Sequence, residues 1–521
     1  MEHLSGLSNN IFCFLGTSAM SIQAYLHSPP KAAAMLEALR GLGYSASSAV
    51  ADIIDNSISA SASIVEIEFN WNGPGSTITI LDNGTGMSRD ELYRALLLGD
   101  RNPLEERSAL DLGRFGLGLK TASFSQCKQL TVASKKADSG EACLRWDLDY
   151  IASRPDDGWY MLEGYSPSGL QYVERFLQRD RGTLVLWETL DRLVTPGFRE
   201  QDFLDLIDQI ERHLSMVFHR YLAGNRPRLK ILINGRAISS WDPFLSGHAS
   251  TWSSPIERVQ TSKGVVEIQC HVLPHKDRLD AKQIIEGGGL NGWTAQQGWY
   301  VYRNERLLLA GSWLGLGRGR PWTKEESYRL ARLRIDIPNT ADTDWKIDVR
   351  KSTARPPANI RERLTRIAED TRSRARRVFA HRGEQSPATR GPKVAQAWRS
   401  ERFSGGIRYR IDTQHPVVSE VLDTCREHAQ EIRMMLRVLE ETIPVQRIWL
   451  DTAEEKETPR TSFAGAPPEE VTSTLLAIYR NMVLRRSYTP DEARSRLRKT
   501  EPFDSYPEFV MSLPDVTEPE E

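Results

Sequence analysis

Two short stretches near the start of the chain have the 3.6-residue hydrophobic period of amphipathic helices. They cover residues 31–40 and 47–59, and the breaker GLGYS separates them. Apolar and polar positions then alternate over residues 63–71 and 76–84 on either side of the turn GPG, which predicts a hairpin. Further strand patterns occur at 129–136, 143–151, 159–166 and 182–190, before a helix over 203–222. This order favours an α+β sandwich with helices on one face of a mixed or antiparallel sheet.

A second series of strand patterns follows, and it predicts a second α/β domain over residues 223–382. Its strands are expected at 228–238, 264–273, 298–311 and 330–338, and its last helix, at 358–382, is basic. The Gly, Pro, Ser and Thr content of residues 383–396 predicts a linker. Residues 397–510 are predicted to be mainly helical, 511–521 to be an acidic disordered tail, and 1–27 to be a poorly patterned, disordered extension. The first domain then covers residues 28–222.

Composition excludes several classes of protein. The chain has 521 residues, and 68 Lys plus Arg nearly balance 69 Asp plus Glu, so only a local patch could attract a polyanion. Its 5 cysteines contain no C-x-x-C pair, which argues against a zinc site or a disulfide framework and favours the cytoplasm. The apolar run at residues 11–16 is too short for a membrane span, so no membrane association is expected.

The helix over residues 47–59 contains three polar groups that are costly to bury. Helical spacing places Asp52 and Asn56 on one face, one turn apart, while Asp55 points about 100° away from Asn56. A carboxylate beside a carboxamide can activate a water molecule and bind a hard cation such as Mg²⁺. An exposed helix end would also collect such residues, so the cluster alone leaves both interpretations open.

Two glycine-containing motifs follow this helix. In DNGTGM (82–87), Asp82 leaves a strand into Gly84 and Gly86, which allow a ligand to approach the backbone, although a plain turn would look similar. In GRFGLGLKTAS (113–123), a glycine-rich loop enters a helix and offers backbone N–H groups to an anion. The spacing is not that of a P-loop. The three motifs in this order favour a nucleotide site.

Together, ADIIDNS, DNGTGM and GRFGLGLK resemble the GHKL ATPases, the superfamily of gyrase, the heat-shock chaperone, histidine kinases and MutL. The resemblance extends over about residues 31–381 and is strongest to the MORC-like bacterial branch. It implies a Bergerat ATPase domain with a mobile lid at about residues 88–112, followed by a ribosomal-protein-like transducer domain. ATP and Mg²⁺ are the implied ligands, and a homodimer formed on ATP binding is the implied assembly.

The resemblance also implies roles for individual residues. Asn56 matches the magnesium-binding asparagine, and Asp82 matches the aspartate that recognises the adenine amino group, supported by Thr183. Gly84, Gly86 and Met87 would line the adenine pocket. The remaining matches would hold the phosphates: Gly113, Arg114, Phe115, Gly116, Leu117, Gly118 and Lys120.

Asp52 is the expected general base, and it departs from the family pattern. Most gyrase and MutL relatives have Glu there, and Asp is shorter by one methylene, about 1.5 Å of reach. Slow ATP turnover is therefore expected, with Asp55 in a supporting role, and a chain that binds ATP only as a switch is the alternative. A transducer lysine that reaches the γ-phosphate is implied as well. Lys351 is the first candidate and Lys346 the second.

Basic residues outnumber acidic ones by more than two to one between residues 351 and 410. The arginine-rich segment RSRARR (372–377) makes a contact with the DNA backbone plausible, although a solvated helix face or an acidic partner protein would suit the same charges. The predicted function is a slow ATPase whose ATP-driven dimerisation acts as a clamp or switch on DNA. The MORC-like resemblance suggests a bacterial restriction or phage-defence system with partner proteins encoded nearby. The alternatives are a chaperone-like ATPase and a DNA-repair accessory ATPase without nuclease activity.

Overall fold

The computed structural model describes residues 30–99, 118–137, 139–156, 158–341, 344–348, 353–380, 395–403, 406–448 and 469–515. The chain divides into two compact units, Met1–Phe379 and Ala380–Glu521. The predicted N-terminal extension, most of the predicted linker and the end of the acidic tail lie outside the described residues. The predicted domain boundaries stay predictions.

The first unit begins with a sheet of eight strands. They are β1 (Ile64–Asn70), β2 (Thr77–Asp82), β3 (Gln129–Lys135), β4 (Glu141–Asp147), β5 (Leu162–Glu163), β6 (Gly182–Glu188), β7 (Lys230–Ile233) and β8 (Arg236–Ala237). Their order is β5-β4-β3-β6-β2-β1-β7-β8. Only the β1–β7 pair among them is parallel. The sheet is therefore mixed, as predicted.

Helices pack against this sheet, and all but one of those described contribute to one hydrophobic core. They are α1 (Ala32–Arg40), α2 (Ala46–Ser59), α3 (Arg89–Leu96), α4 (Gly118–Phe124), α5 (Leu148–Ala152), α6 (Glu174–Leu177), α7 (Glu200–Val217) and α8 (His219–Leu222). The exception is α6, whose Phe176 lies in a smaller cluster with Leu81, Ala133 and Leu184. Helix α2 is the most deeply set, since Ala49, Val50, Ala51 and Ile54 are wholly buried in that core. The predicted α+β fold is confirmed.

A second sheet in the same unit has its own core. Its strands are β9 (Trp252–Ser253), β10 (Glu257–Thr261), β11 (Gly264–Val272), β12 (Gly298–Arg303), β13 (Arg306–Ser312) and β14 (Ala331–Ile337). The order is β10-β11-β14-β12-β13, with β9 paired to β11. The accompanying helices are α9 (Ala281–Gly288), α10 (Gly292–Ala295) and α11 (Ala358–Ala380). Leu364, Ala368 and Ala375 of α11 are buried in this core.

Three strand predictions were wrong. The strand predicted at 228–238 is the β7–β8 hairpin, which turns at Asn234 and Gly235. The strand predicted at 143–151 ends at Asp147, because the Asp147 carboxylate accepts a hydrogen bond from the Tyr150 N–H and starts α5. The strand predicted at 298–311 is a hairpin. Asn304 and Glu305, with φ of 47° and 65°, form the tight turn between β12 and β13. Arg306 is consequently the first residue of β13.

The second unit combines a hairpin with helices. The hairpin, which the sequence did not predict, consists of β15 (Trp398–Phe403) and β16 (Gly406–Ile411). The helices are α12 (Pro416–Thr424), α13 (Ala429–Glu441), α14 (Glu469–Leu484), α15 (Pro490–Leu497) and α16 (Pro507–Met511). A small core lies between α14, α15 and α16. Among the residues described in both units, no helix has the length and hydropathy required to cross a membrane.

Candidate functional site

Helix α2 places its three polar groups in different environments. The Ser45 hydroxyl caps the helix by accepting from the Ser48 N–H at 3.2 Å. Asp52 and Asp55 are buried, whereas Asn56 is exposed and donates through Nδ2 to the Asp52 carbonyl at 3.1 Å. The two carboxylates therefore lie within the protein, and the amide lies at its surface.

Both oxygens of Asp52 contact a donor. Tyr44 donates its hydroxyl to Oδ2 at 3.1 Å, and Arg306 Nη2 lies 3.5 Å from Oδ1. Burial, and then the charge of Asp52, raise the pKa of Tyr44, so the phenol keeps its proton at neutral pH. Asp52 is thus oriented from both sides.

Asp55 binds Arg306 more closely than Asp52 does. Arg306 Nε lies 3.2 Å from each oxygen of Asp55, and Nη2 lies 3.2 Å from Oδ2. Asp55 lies near the candidate base Asp52 through their shared partner Arg306, and the sequence did not predict this arginine on β13. The feature that would have indicated this contact is the turn at Asn304 and Glu305, because it makes Arg306 the first residue of a new strand. A single strand running through these residues would give no reason to expect Arg306 near α2.

Asp82 is held at the end of β2 by three donors. Its Oδ1 accepts from the N–H groups of Gly84 at 2.8 Å and Thr183 at 3.2 Å, and its Oδ2 accepts from the Ser57 hydroxyl at 2.8 Å. Burial raises the pKa of Asp82, while these hydrogen bonds act in the opposite direction. Ser57 belongs to α2, so one helix carries Asp52 and Asn56 and also holds Asp82.

The DNGTGM loop passes too close to its neighbours for side chains at its glycines. A Cβ on Gly84 would lie 2.9 Å from the Ala60 Cβ, and one on Gly86, whose φ is +68°, would lie 1.9 Å from the Lys135 carbonyl oxygen. The Met87 N–H then donates to Ser134 Oγ at 2.8 Å, and Ser134 Oγ lies 2.9 Å from Thr183 Oγ1. The loop is thereby fixed against β3 and β6.

We expect Gly86→Ala to destabilise the fold by about 2–4 kcal/mol, because left-handed backbone strain and a backbone clash add. Urea unfolding measures the change. Gly73→Ala is a matched control for strain alone, since Gly73 has φ +52° and open space around its Cβ position. Gly140→Ala controls for the substitution itself. Equal stability of the Gly86 and Gly73 variants would contradict the close approach.

The structure describes only the end of the glycine-rich loop. Gly113, Arg114, Phe115, Gly116 and Leu117 lie outside the described residues. A Cβ on Gly118, where α4 begins, would lie 3.7 Å from Asp52 Oδ2, so this end of the loop adjoins the candidate base.

Lys120 points away from solvent. It is buried, and its ammonium donates to the carbonyls of Ala95 at 2.9 Å and Leu97 at 2.6 Å. These carbonyls lie at the end of α3, inside the segment predicted as the lid. Lys120 therefore connects α4 to the lid segment, and its predicted phosphate contact stays a prediction.

The structure does not decide between Lys351 and Lys346 as the lysine that reaches the γ-phosphate. Lys351 lies outside the described residues, and Lys346 is exposed with φ +50°. Among the residues described, no group of three or more His, Cys, Asp or Glu side chains could hold a metal ion. Magnesium binding by Asn56 likewise stays a prediction.

Two of the four arginines in RSRARR (372–377) serve packing. The guanidinium carbon of Arg372 lies 3.9 Å from the ring centre of Tyr328 and 4.3 Å from that of Trp322. Arg374 lies over Trp252 at 4.0 Å. Arg376 and Arg377 are exposed. The surface charge of α11 is therefore smaller than the segment suggests.

In comparison with known proteins, residues 44–183 match a family described as histidine kinase-, DNA gyrase B-, and HSP90-like ATPase. The DNA mismatch repair protein MutL of Histophilus somni is 37% identical over 102 residues, which are 18% of this chain and 16% of that protein. MutL of Shewanella baltica strain OS185 is 38% identical over 97 residues, 18% of this chain and 15% of the relative. The ATPase morc-1 of Caenorhabditis elegans is 30% identical over 89 residues, which are 17% of this chain and 10% of that protein. The chain thus matches less than a fifth of each relative's length.

Proposed function

Residues 44–183 are a domain of the GHKL ATPase superfamily, and on that basis we propose that the chain binds ATP and slowly hydrolyses it to ADP and phosphate. One observation carries this proposal. The Ser57 hydroxyl of α2 donates to Asp82 at 2.8 Å, so the helix that bears Asp52 and Asn56 is joined directly to the adenine-recognition residue. A base and a recognition carboxylate are thus held in one rigid arrangement.

At the adenine end, Asp82 would accept a hydrogen bond from the exocyclic amine. At Gly84 and Gly86 the loop packs closely against Ala60 and the Lys135 backbone, which supports a fixed position for the Asp82 carboxylate beside the proposed adenine. Thr183 and Met87 would border the same space, since both are connected through Ser134. Recognition of a nucleobase by a buried carboxylate is specific, because a base with a carbonyl in place of the amine would bring two hydrogen-bond acceptors together there.

At the phosphate end, Asp52 would orient and deprotonate the attacking water. The exposed amide of Asn56, one turn later, is available as an oxygen ligand for Mg²⁺, which would neutralise phosphate charge. The loop from Gly113 to Gly118 and Lys351 would contact the phosphates, as the family resemblance implies. Asp52 is short and both its oxygens contact donors, which supports slow turnover.

Phosphate release from ATP by the purified chain, with Mg²⁺ and with a chelator, tests the proposal. We expect slow, magnesium-dependent release that follows single-site saturation. A chain that binds ATP and releases no phosphate would be an ATP-dependent switch, and the hydrolytic part of the proposal would then be wrong.

We further propose that ATP-driven dimerisation lets the protein act as a clamp or switch on DNA. Two of the relatives are named DNA mismatch repair proteins, and Arg376 and Arg377 offer exposed positive charge on α11. Work within a bacterial restriction or phage-defence system, beside partner proteins encoded nearby, rests on the MORC-like resemblance.

We expect Arg376→Gln combined with Arg377→Gln to weaken DNA binding at low salt and to reduce the slope of log K against log salt by up to about 2, because each phosphate contact contributes about 0.9. Fluorescence anisotropy of labelled duplex DNA, over a salt series with and without ATP, measures this. Arg199→Gln with Arg212→Gln removes equal exposed charge, from the N-cap residue and the body of α7, and is the matched control. An equal loss in both double variants would contradict a DNA site on α11.

A further inference from the structure

Ser134 of β3 is a wholly buried serine beside the proposed adenine site. It is 0% exposed and stands opposite Thr183 of β6 in the sheet register. Its hydroxyl oxygen accepts from the Met87 N–H at 2.8 Å. The same oxygen lies 2.9 Å from Thr183 Oγ1 and 3.2 Å from the Gly182 carbonyl oxygen. Ser134 therefore contacts both the loop that follows Asp82 and the strand that borders it.

Thr183 is fixed next to Asp82 by the backbone of β6. Its N–H donates to Asp82 Oδ1 at 3.2 Å. The preceding residue, Gly182, has φ +140° and approaches β2 so closely that a Cβ there would lie 2.2 Å from the Asp82 carbonyl oxygen. Thr183 is partly exposed, whereas Ser134 behind it is not. A ligand bound by the Asp82 carboxylate would therefore lie within reach of the Thr183 hydroxyl.

The number of protons available favours one direction for the hydrogen bond between Ser134 and Thr183. A serine hydroxyl has one proton to donate and two lone pairs with which to accept. If Ser134 donates to the Gly182 carbonyl, Thr183 donates to Ser134, and three hydrogen bonds form around the serine. If Ser134 donates to Thr183 instead, only two form. The first arrangement is favoured, because buried polar groups are stabilised by completing their hydrogen bonds.

Two acceptors would then face the proposed adenine. Thr183 Oγ1 offers a ligand only lone pairs when its proton points to Ser134, and the ionised Asp82 carboxylate is likewise an acceptor. We propose that Ser134 is a positioning residue that sets the direction of the Thr183 hydroxyl and so makes the site prefer a purine with an amine at C6 to one with a carbonyl. The amine has two N–H groups to donate, whereas a carbonyl oxygen would face two acceptors. This inference rests on the proposed function, because it deepens adenine recognition at the same site.

The ratio of the ATP and ITP dissociation constants, measured at equilibrium with Mg²⁺, tests the inference. ITP carries a carbonyl at C6 in place of the amine and a proton on N1, and these differences are the same for every variant. Ser134→Ala removes the acceptor of the Thr183 proton, which can then turn towards the ligand. We expect ATP to bind about 2- to 10-fold more weakly, which is about the contribution of one hydrogen bond, and the preference for ATP over ITP to fall about 10-fold. Equal weakening of both nucleotides would indicate a purely structural role for Ser134 and overturn the inference.

Ser76→Ala is the matched control. Ser76 is also 0% exposed, and its hydroxyl accepts from the Asn72 N–H at 2.8 Å and donates to the Gly73 carbonyl at 2.7 Å. It precedes β2, at the opposite end of that strand from Asp82. We expect its preference for ATP over ITP to equal that of the wild type. If the preference falls as far as in Ser134→Ala, general loosening of the sheet explains the change and the inference is wrong.

Thr183→Val tests the direction of the hydroxyl even if Ser134→Ala fails to fold. It keeps the backbone N–H that donates to Asp82 and removes only the hydroxyl that faces the ligand and Ser134. The preference for ATP over ITP should fall, because an acceptor for the amine has been lost. A preference that rises or stays at the wild-type value would show that the hydroxyl does not favour the amine, and the inference would be overturned.

The Ser134→Ala/Thr183→Val double variant separates an effect through Thr183 from any other effect of Ser134. In the Thr183→Val background, Ser134→Ala should cause no further fall in the preference, because the hydroxyl that it orients is already absent. A further fall of the same size as in the wild-type background would overturn the inference. Failure of the wild type to bind either nucleotide would instead overturn the proposed function, and this inference with it.

Discussion

We expect Asp52→Asn to lower phosphate release from ATP by about 100- to 10,000-fold, the range that a positioned general base contributes. An amide has no basic lone pair with which to take a proton from water. The fold should survive, because Asn can still accept from Tyr44 and because Arg306 keeps its closer partner, Asp55. ATP affinity should change little, since the proposed function assigns adenine recognition to Asp82 on β2, which α2 contacts through Ser57.

Steady-state phosphate release and equilibrium ATP binding, measured on the same preparation, separate these effects. Asn56→Ala is the companion variant, and it should lose magnesium-dependent nucleotide binding rather than the chemical step alone. Unchanged turnover in Asp52→Asn, together with lost binding in Asn56→Ala, would show that the base lies elsewhere. Loss of ATP binding in Asp52→Asn would also contradict the assignment.

Parts of the site that depend on local sequence could be predicted. Helix α2 follows from its hydrophobic period, and the position of Asp82 follows from the alternation along β2 and the glycines after it. The fold class follows from the order of these elements. Neighbours in sequence determine each of these features, so one sequence is sufficient to identify them.

Arg306 could not be predicted in the same way. Its partners on α2 lie 251 and 254 residues earlier, and the contact depends on a tight turn at Asn304 and Glu305 that an apolar run conceals. Neither residue is glycine, although a turn with positive φ at both positions usually contains one. The contacts of Arg306 with Asp52 and Asp55 can therefore be identified only once the β12–β13 hairpin is known.

Charge on α11 was overestimated for a different physical reason. A sequence shows how many arginines a segment contains, but not that Arg372 lies among Trp322 and Tyr328 or that Arg374 covers Trp252. Guanidinium groups stack on aromatic rings and then serve packing rather than phosphate binding. Arg376 and Arg377 remain as the exposed pair of this segment on which the DNA proposal depends.

The second large effect is expected for Asp82→Asn, which should weaken ATP binding about 100-fold. The Asp82 carboxylate accepts from Ser57, Gly84 and Thr183, and in the proposed complex also from the adenine amine. The amide of Asn would turn an N–H₂ group towards one of these donors. Loss of a charged hydrogen bond with a donor left unpaired costs about 3 kcal/mol, which corresponds to about 100-fold in affinity.

Equilibrium binding of ATP and GTP across pH measures this prediction and its specificity. The wild type should favour ATP, and it should lose affinity as the pH falls through the raised pKa of Asp82, because the protonated carboxyl is a poorer acceptor for the amine. Asp82→Asn should lose both the preference and that pH dependence. Asp205→Asn removes an exposed carboxylate from α7 and should behave as the wild type. Wild-type ATP affinity in a folded Asp82→Asn variant would remove Asp82 from adenine recognition, and the loop from Gly84 to Met87 would then owe its close approach to packing alone.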